Sequence, residues 1–171
     1  MTLVVEDGTG KADAESYISV SDATAYHASR GNSAWAAIAS DTVREQLLRK
    51  ATDYMLYTYR GSWLGERKTD AQRLDWPRYS AWPEDRQTEL PDDEVPQDIA
   101  QACAELALIA NTTSLTPSVT RGKKKVKVGP LEVEYDGSAP TATAFVAASV
   151  RLAYYLCGVA NGGPFAKLVR T

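Results

Sequence analysis

The sequence has few of the side chains that catalytic and metal sites usually require. Its 171 residues include one histidine, His27, and two cysteines, Cys103 and Cys157. A lone histidine without thiolates at motif spacing cannot anchor a typical zinc site. No Gly-x-Ser-x-Gly elbow and neither of the common glycine-rich phosphate loops occurs. We therefore expect a protein without catalytic residues, metal or cofactor, which binds other macromolecules and is not an enzyme.

Long hydrophobic runs are also missing. No stretch approaches the roughly 20 apolar residues that a membrane-spanning helix needs. The first ten residues show neither the basic segment nor the apolar run of a signal peptide. Both cysteines lie in apolar helical patterns, which favours buried free thiols in a reducing compartment. These features predict a soluble domain with no membrane association.

An excess of positive charge is absent as well. The chain carries 19 basic and 22 acidic residues, a net charge of −3, whereas proteins that grip nucleic acid usually have a basic excess. The distribution is uneven, with seven acids against one base in residues 84–98 and five bases without an acid in residues 121–127. The acidic run could hold a divalent cation, but consecutive acids lack the alternate spacing of metal loops. A solvated cluster at a helix start is the favoured interpretation.

Apolar residues at spacings of three and four predict a mainly α fold, a bundle of about four helices with an appended β-hairpin and a long irregular Trp/Pro-containing loop. Residues 1–157 form one helical domain in this prediction, and residues 158–171 form a C-terminal tail. The caps at Ser19 and at Ser40 or Asp41 begin the first two helices, and Pro96 takes the first helical position of the third. The helices are expected at about residues 20–30, 41–60, 96–110 and 143–156.

Alternating residues predict a β-hairpin at residues 123–135. One register places Val128 opposite Leu131 and Val126 opposite Val133. The same register pairs lysines with glutamates on the other face, Lys127 with Glu132 and Lys125 with Glu134, so both faces agree. The lysines Lys123, Lys124, Lys125 and Lys127 are candidates for a weak DNA contact, although a solvated, edge-protecting role is favoured.

The loop at residues 62–95 holds three of the four tryptophans, Trp63, Trp76 and Trp82, together with arginines such as Arg78. Aromatic residues beside arginine are typical of interface hot spots, and large aromatics are equally typical of cores. The sequence alone gives an interface role and a core role about equal weight for these residues.

The C-terminal tail carries a second set of candidate interface residues, Phe165, Leu168 and Val169, next to the bases Lys167 and Arg170. Glycines and Pro164 separate this segment from the last helix. It could dock on a partner or pack against the subunit's own helices, and both interpretations remain open.

An ordered set of blocks lies between about Val4 and Tyr135: VVEDGTGKADAESYISVSDATAYHASRGN, LLRKATDYM, Asp75-Trp76-Pro77-Arg78, VPQDIAQACAELAL and KVGPLEVEY. Together these blocks resemble a family encoded by tailed bacteriophages, whose members are often labelled DnaT-like single-stranded-DNA-binding proteins. The helical layout is also similar to that of the head–tail connector adaptors, or head-completion proteins.

The resemblance to the adaptors implies a structural virion protein of the phage neck. Such a protein forms a ring beneath the portal, joins it to the tail or stopper, and would have twelve copies if it follows the portal's symmetry. Its partners would be further copies of itself, the portal, the tail or stopper protein and the genomic DNA, which passes through the channel without sequence-specific binding. It would be made in the host cytoplasm and reside at the head–tail junction of the virion.

The family label implies an alternative, a DnaT-like single-stranded-DNA-binding replication protein. Such a protein should line a basic groove with stacking aromatic residues. Here the bases and tryptophans are mostly separate in the sequence and the net charge is negative. The adaptor is therefore the favoured interpretation.

Overall fold

The computed structural model describes residues 2–83, 86–116, 125–128, 131–134 and 145–157. The fold is mainly helical, as the sequence predicts, and none of the described helices is long and apolar enough to cross a membrane. The helices are α1 (Val20–Ser29), α2 (Ser33–Ala36), α3 (Asp41–Tyr59), α4 (Gln97–Ala110) and α5 (Val146–Leu152), with a 3-10 turn at Ala153–Tyr155. The strands are β1 (Glu66–Arg67), β2 (Arg78–Tyr79), β3 (Lys125–Val128) and β4 (Leu131–Glu134).

The core lies where α4 packs between α3 and α5. Small side chains on α4 permit close approach of the other helices, because alanine and cysteine add little bulk to the helix surface. Leu48 and Met55 of α3 and Leu152 of α5 are fully buried against this layer. The small residues of α4 are Ala102, Cys103, Ala104 and Ala107, all without exposed surface.

The helix starts follow the predicted capping residues. The Ser19 hydroxyl accepts a hydrogen bond from the Asp22 N–H at 3.0 Å, and the Ser40 hydroxyl accepts one from the Val43 N–H at 3.3 Å. Each bond satisfies a backbone donor that has no partner within the helix. Pro96 is the N-cap of α4 rather than its first helical residue, so the helix begins at Gln97, one residue later than predicted. Its missing N–H is harmless at either position.

The hairpin prediction is confirmed in its register. Strands β3 and β4 pair antiparallel, with Val128 opposite Leu131, Val126 opposite Val133, Lys127 opposite Glu132 and Lys125 opposite Glu134. The proposed turn at residues 129–130 lies outside the described residues.

The last helix is shorter than predicted. It begins at Val146, after Phe145 at its N-cap, whereas the expected start at Thr143 lies outside the described residues. It gives way to the 3-10 turn before the predicted end at Leu156. This tighter turn accompanies burial of Tyr155, whose hydroxyl donates to an Asp98 carboxylate oxygen on α4 at 2.9 Å.

A buried carboxylate organises the N-terminal loop. Glu6 accepts hydrogen bonds from the backbone N–H groups of Gly8, Gly10 and Lys11 at 3.0, 2.9 and 2.8 Å. A single parallel bridge joins Val5 of this loop to Ser16. The sequence alone did not identify this role for Glu6, because the loop has no periodicity.

His27 is a buried, fully hydrogen-bonded histidine. Its Nε2–H donates to the Ala104 carbonyl at 3.1 Å, so Nδ1 accepts from the Asn32 amide at 3.1 Å. Burial lowers the pKa of His27 below its ordinary value of 6.5. The ring is therefore held neutral between α1 and α4, a structural role for this histidine.

Folding stability should fall as the pH drops from 7 to 5. The unfolded chain takes up a proton on His27 near its ordinary pKa of 6.5, while the folded chain resists protonation, so acid favours unfolding. Urea unfolding followed across this range tests the effect. A His27→Gln variant should lose this part of the pH dependence. The same dependence of the free energy of unfolding on pH in the natural chain and in the variant would contradict the prediction.

Candidate functional site

Two of the three candidate tryptophans of the loop lie in the interior. Trp63 and Trp76 are buried, and their rings meet edge to face with centroids 5.8 Å apart. Trp76 also contacts Tyr155 edge to face at 5.9 Å, and Trp63 contacts Tyr59 at 5.6 Å. These contacts join α3, the loop and the 3-10 turn, so both tryptophans serve the core of the subunit rather than its surface.

Asp75 fixes this aromatic cluster with a buried carboxylate. One oxygen accepts from the Arg60 Nε–H at 3.0 Å and the other accepts from the Trp63 indole N–H at 3.1 Å. The Asp75 backbone N–H donates to the Tyr17 hydroxyl at 3.0 Å. A buried carboxylate requires such partners, because an uncompensated charge in the interior is costly. Asp75 is central to this cluster, but in the sequence it stands out only as part of the segment Asp75-Trp76-Pro77-Arg78.

Arg78, the candidate interface arginine, is also buried. Its guanidinium donates to the carbonyl oxygens of Leu64, Gly65 and Asp75 at 2.6, 2.6 and 3.1 Å. Burial lowers its pKa below the ordinary value. Arg78 therefore holds the loop together from within and is not the exposed protein-interface arginine that the sequence suggested.

Trp82 is the candidate tryptophan that stays at the surface, with 53% of it exposed. Tyr79, three residues earlier, is 40% exposed and donates its hydroxyl hydrogen bond to Glu66 at 2.8 Å. The loop thus presents two aromatic side chains to solvent next to its buried cluster. Exposed aromatic residues of this kind are typical of contact sites for proteins or nucleic-acid bases.

An apolar stripe on α5 and its 3-10 turn is a second surface feature. Val146, Val150 and Tyr154 are 67%, 62% and 44% exposed. Their spacing of four residues places them on one side of the helix. Ala148 and Leu152 are buried on the other side, against α4. We call Val146, Val150 and Tyr154 the α5 stripe. The sequence did not single it out, because apolar residues occur on both sides of this helix.

Many of the described basic side chains already hold partners within the subunit. Arg49 pairs with Glu15 at 2.9 Å and Glu45 at 3.4 Å, and Arg151 pairs with Asp98 at 2.9 Å. A guanidinium engaged in this way is less available to a DNA phosphate. Further engaged cations are Lys11 with Asp7, Arg44 with Asp41 and Arg60 with Asp75.

The acidic run before α4 is solvent-exposed at Asp92, Asp93 and Glu94. In the part of the chain that the structure describes, no group of three His, Cys, Asp or Glu side chains could hold a metal ion. Asp98, at the start of α4, accepts hydrogen bonds from Arg151 and Tyr155. The observed role of Asp98 is therefore to hold α5 against α4.

The remaining candidate residues fall partly outside the described chain. Lys125 and Lys127 lie on β3, opposite glutamates in the register of the hairpin. Lys123, Lys124 and the tail residues Phe165, Leu168 and Val169 lie outside the described residues, so their assigned roles stay predictions.

The fold and its surfaces define a mainly helical protein with an aromatic core cluster and exposed apolar side chains on α5. A family model described as "Putative DnaT-like ssDNA binding protein" matches residues 1–171. The chain therefore belongs to this family. No curated protein and no solved structure matches the chain.

Proposed function

We propose that the chain is a head–tail adaptor of a tailed bacteriophage, which assembles into a ring beneath the portal and joins it to the tail or stopper. Twelve copies would match the portal's symmetry. The α5 stripe is the observation that carries this proposal. The similarity of the helical layout to that of the phage head–tail connector adaptors supplies the identity of the assembly.

The α5 stripe supports assembly because it leaves apolar surface in water on an otherwise well-packed helix. Burial of a valine side chain stabilises an interface by roughly 1.5–3 kcal/mol relative to exposure. Val146 and Val150 lie one turn apart, so a neighbouring subunit could cover both at once. Packing of further copies against this face would remove the exposed surface, as a ring requires.

Single-stranded-DNA binding is the second candidate function, and the family description favours it. Exposed Trp82 and Tyr79 could stack on bases. Against this function, many described arginines are engaged within the subunit and the net charge is −3. We therefore place DNA binding second, and expect it to be weak and salt-sensitive.

A Val150→Asp variant should fail to assemble while its subunit stays folded. The carboxylate would have to lose its water on burial in a subunit interface, whereas an exposed site tolerates it within about 0.5 kcal/mol. The measurement is the mass of the assembled particle, alone and with portal rings encoded in the same genome. The expected result is a ring for the natural chain and monomers for the variant.

Tyr57→Asp is the matched control, since Tyr57 is exposed on α3 and lies outside the α5 stripe. This variant should assemble normally. Rings that form equally well with Val150→Asp would overturn the role of the stripe. A natural chain that binds single-stranded DNA tightly at about 0.15 M salt, and ignores portal rings, would reverse the order of the two candidate functions.

A further inference from the structure

The irregular loop brings three arginines to one surface cavity. The cavity has a volume of about 360 Å³ and is lined by Arg60, Gly65, Glu66, Arg67, Asp75 and Arg78. We call it the arginine cavity. Three guanidiniums and two carboxylates line it, so its walls carry a net positive charge.

Strand pairing sets two of these guanidiniums against each other. Arg67 on β1 lies directly opposite Arg78 on β2. Residues that face each other in this way lie on the same side of a sheet, and like charges there are destabilising. Burial is the largest cause that lowers the pKa of Arg78; the charge of Asp75 opposes it, and the charge of Arg67 adds a smaller lowering.

The carboxylates of the cavity are hydrogen-bonded to other partners, although the charge of Asp75 still favours the charged form of Arg78. Asp75 is occupied by Arg60 and by the indole of Trp63, and Glu66 accepts the hydroxyl of Tyr79. Within the described residues, neither Arg67 nor Arg78 forms an ion pair with a carboxylate. Their hydrogen bonds go to backbone carbonyls, from Arg67 to Gln72 and from Arg78 to Leu64, Gly65 and Asp75. Neutral carbonyl groups orient a guanidinium without cancelling its charge.

We propose that the arginine cavity binds a backbone phosphate of a single DNA strand. Planar guanidiniums donate paired N–H groups in a geometry that matches phosphate oxygens. Arg78 has five N–H donors, of which the three carbonyl contacts use one on each nitrogen. An anion held between Arg67 and Arg78 would relieve their repulsion and compensate the buried charge. The site rests on the second candidate function, single-stranded-DNA binding, and is independent of the adaptor proposal.

The exposed Trp82 favours a DNA strand over a free phosphate ion. The backbone just before Trp82 passes next to Gly65 of the cavity, since a Cβ at Gly65 would lie 2.8 Å from the Ala81 nitrogen, and 53% of Trp82 is exposed. Tyr79 is paired with Glu66 and lies on the other side of the strand pair. A strand can use the guanidiniums for its phosphate and the Trp82 indole for a base, whereas a free ion would use the charges alone.

The test compares Arg67→Gln with Lys50→Gln in the full-length chain. Both changes remove one positive charge, and Lys50 lies on α3 ten residues before Arg60, or about 15 Å along a helix. Fluorescence anisotropy should show a labelled oligothymidine of about 16 nucleotides binding the natural chain at about 50 mM salt. Arg67→Gln should weaken this binding about tenfold. It should also make the slope of log binding constant against log salt concentration shallower by about one. Lys50→Gln should leave both nearly unchanged.

A melting experiment at constant ionic strength supplies the second measurement. Without DNA, Arg67→Gln should melt at or above the temperature of the natural chain, because the facing charges are gone. The oligothymidine should raise the melting temperature of the natural chain and of Lys50→Gln, but not that of Arg67→Gln. If Arg67→Gln fails to fold, Arg67→Lys replaces it in the test. Lysine keeps the positive charge but lacks the paired N–H donors of a guanidinium, so this variant should show the same weakened DNA binding.

Three results would overturn the proposal. Equal loss of DNA binding in Arg67→Gln and Lys50→Gln would mean that only net charge matters. Unchanged DNA binding in Arg67→Gln would place the contact elsewhere. Stabilisation of the natural chain by inorganic phosphate that requires Arg67, without any oligothymidine binding, would assign the cavity to a free anion instead of DNA.

Discussion

Replacement of Trp76 by alanine should destabilise the folded chain by about 3–5 kcal/mol, the usual cost of removing a large buried aromatic side chain. Trp76 has no exposed surface and lies between Trp63 and Tyr155, with both ring pairs edge to face. Its loss would leave a void where the loop, α3 and the 3-10 turn meet. The free energy of unfolding in urea, followed by the helical circular dichroism signal, measures this cost.

Trp76→Phe is the matched control for that experiment. It keeps an aromatic ring in the cluster and removes an indole N–H that has no hydrogen-bond partner among the described residues. It should therefore cost much less than the alanine change. A cost below about 1 kcal/mol for Trp76→Ala, the size expected of an ordinary substitution, would mean that the aromatic cluster does not support the fold as described.

The helices could be predicted because local sequence determines them. Ser19 and Ser40 cap α1 and α3 by hydrogen bonds that span only three residues. The apolar spacing on α3 and α4 follows the helical period, so their buried faces follow directly. The hairpin register could be predicted for a related reason, since a single alignment satisfied its apolar and its charged pairs.

The loop could not be predicted in the same way, because its structure depends on residues far apart in sequence. Asp75 is held by Tyr17, which lies 58 residues earlier, and Trp76 packs against Tyr155. No periodic pattern in the sequence predicts such long-range contacts. The sequence therefore left a core role and an interface role equally open for Trp63 and Trp76. The arginine cavity was missed for the same reason, since Arg67 and Arg78 meet only through two-residue strands.

The two candidate functions use different surfaces and can therefore be tested separately. The α5 stripe would be covered by protein in a ring, while the arginine cavity and Trp82 belong to the loop. Loss of assembly in Val150→Asp should leave DNA binding at the cavity intact. Loss of DNA binding in Arg67→Gln should leave the ring intact, which separates the failure of one proposal from the failure of the other.

A Gly8→Ala substitution should cost about 3 kcal/mol or more, because two penalties combine at this position. Gly8 has a φ of 96°, a conformation that costs other residues of order 1–3 kcal/mol. A methyl group there would also overlap the backbone carbonyl of Asp93, adding about 1–3 kcal/mol of overpacking. The N-terminal loop would have to move away from the segment before α4, and the hydrogen bonds that Glu6 accepts would be strained.

Two other glycines separate these penalties. Gly10→Ala carries a positive φ of 79°, but the nearest neighbours of its methyl group would be side-chain atoms of Thr69 and Gln72, at 3.3 Å and beyond. It should therefore show only the backbone penalty. Gly61→Ala meets no atom within 4 Å, and should be neutral or stabilising by about 0.5 kcal/mol. Urea unfolding should rank the costs as Gly8, then Gly10, then Gly61. Equal costs at Gly8 and Gly10 would show that the contact with Asp93 does not constrain the loop.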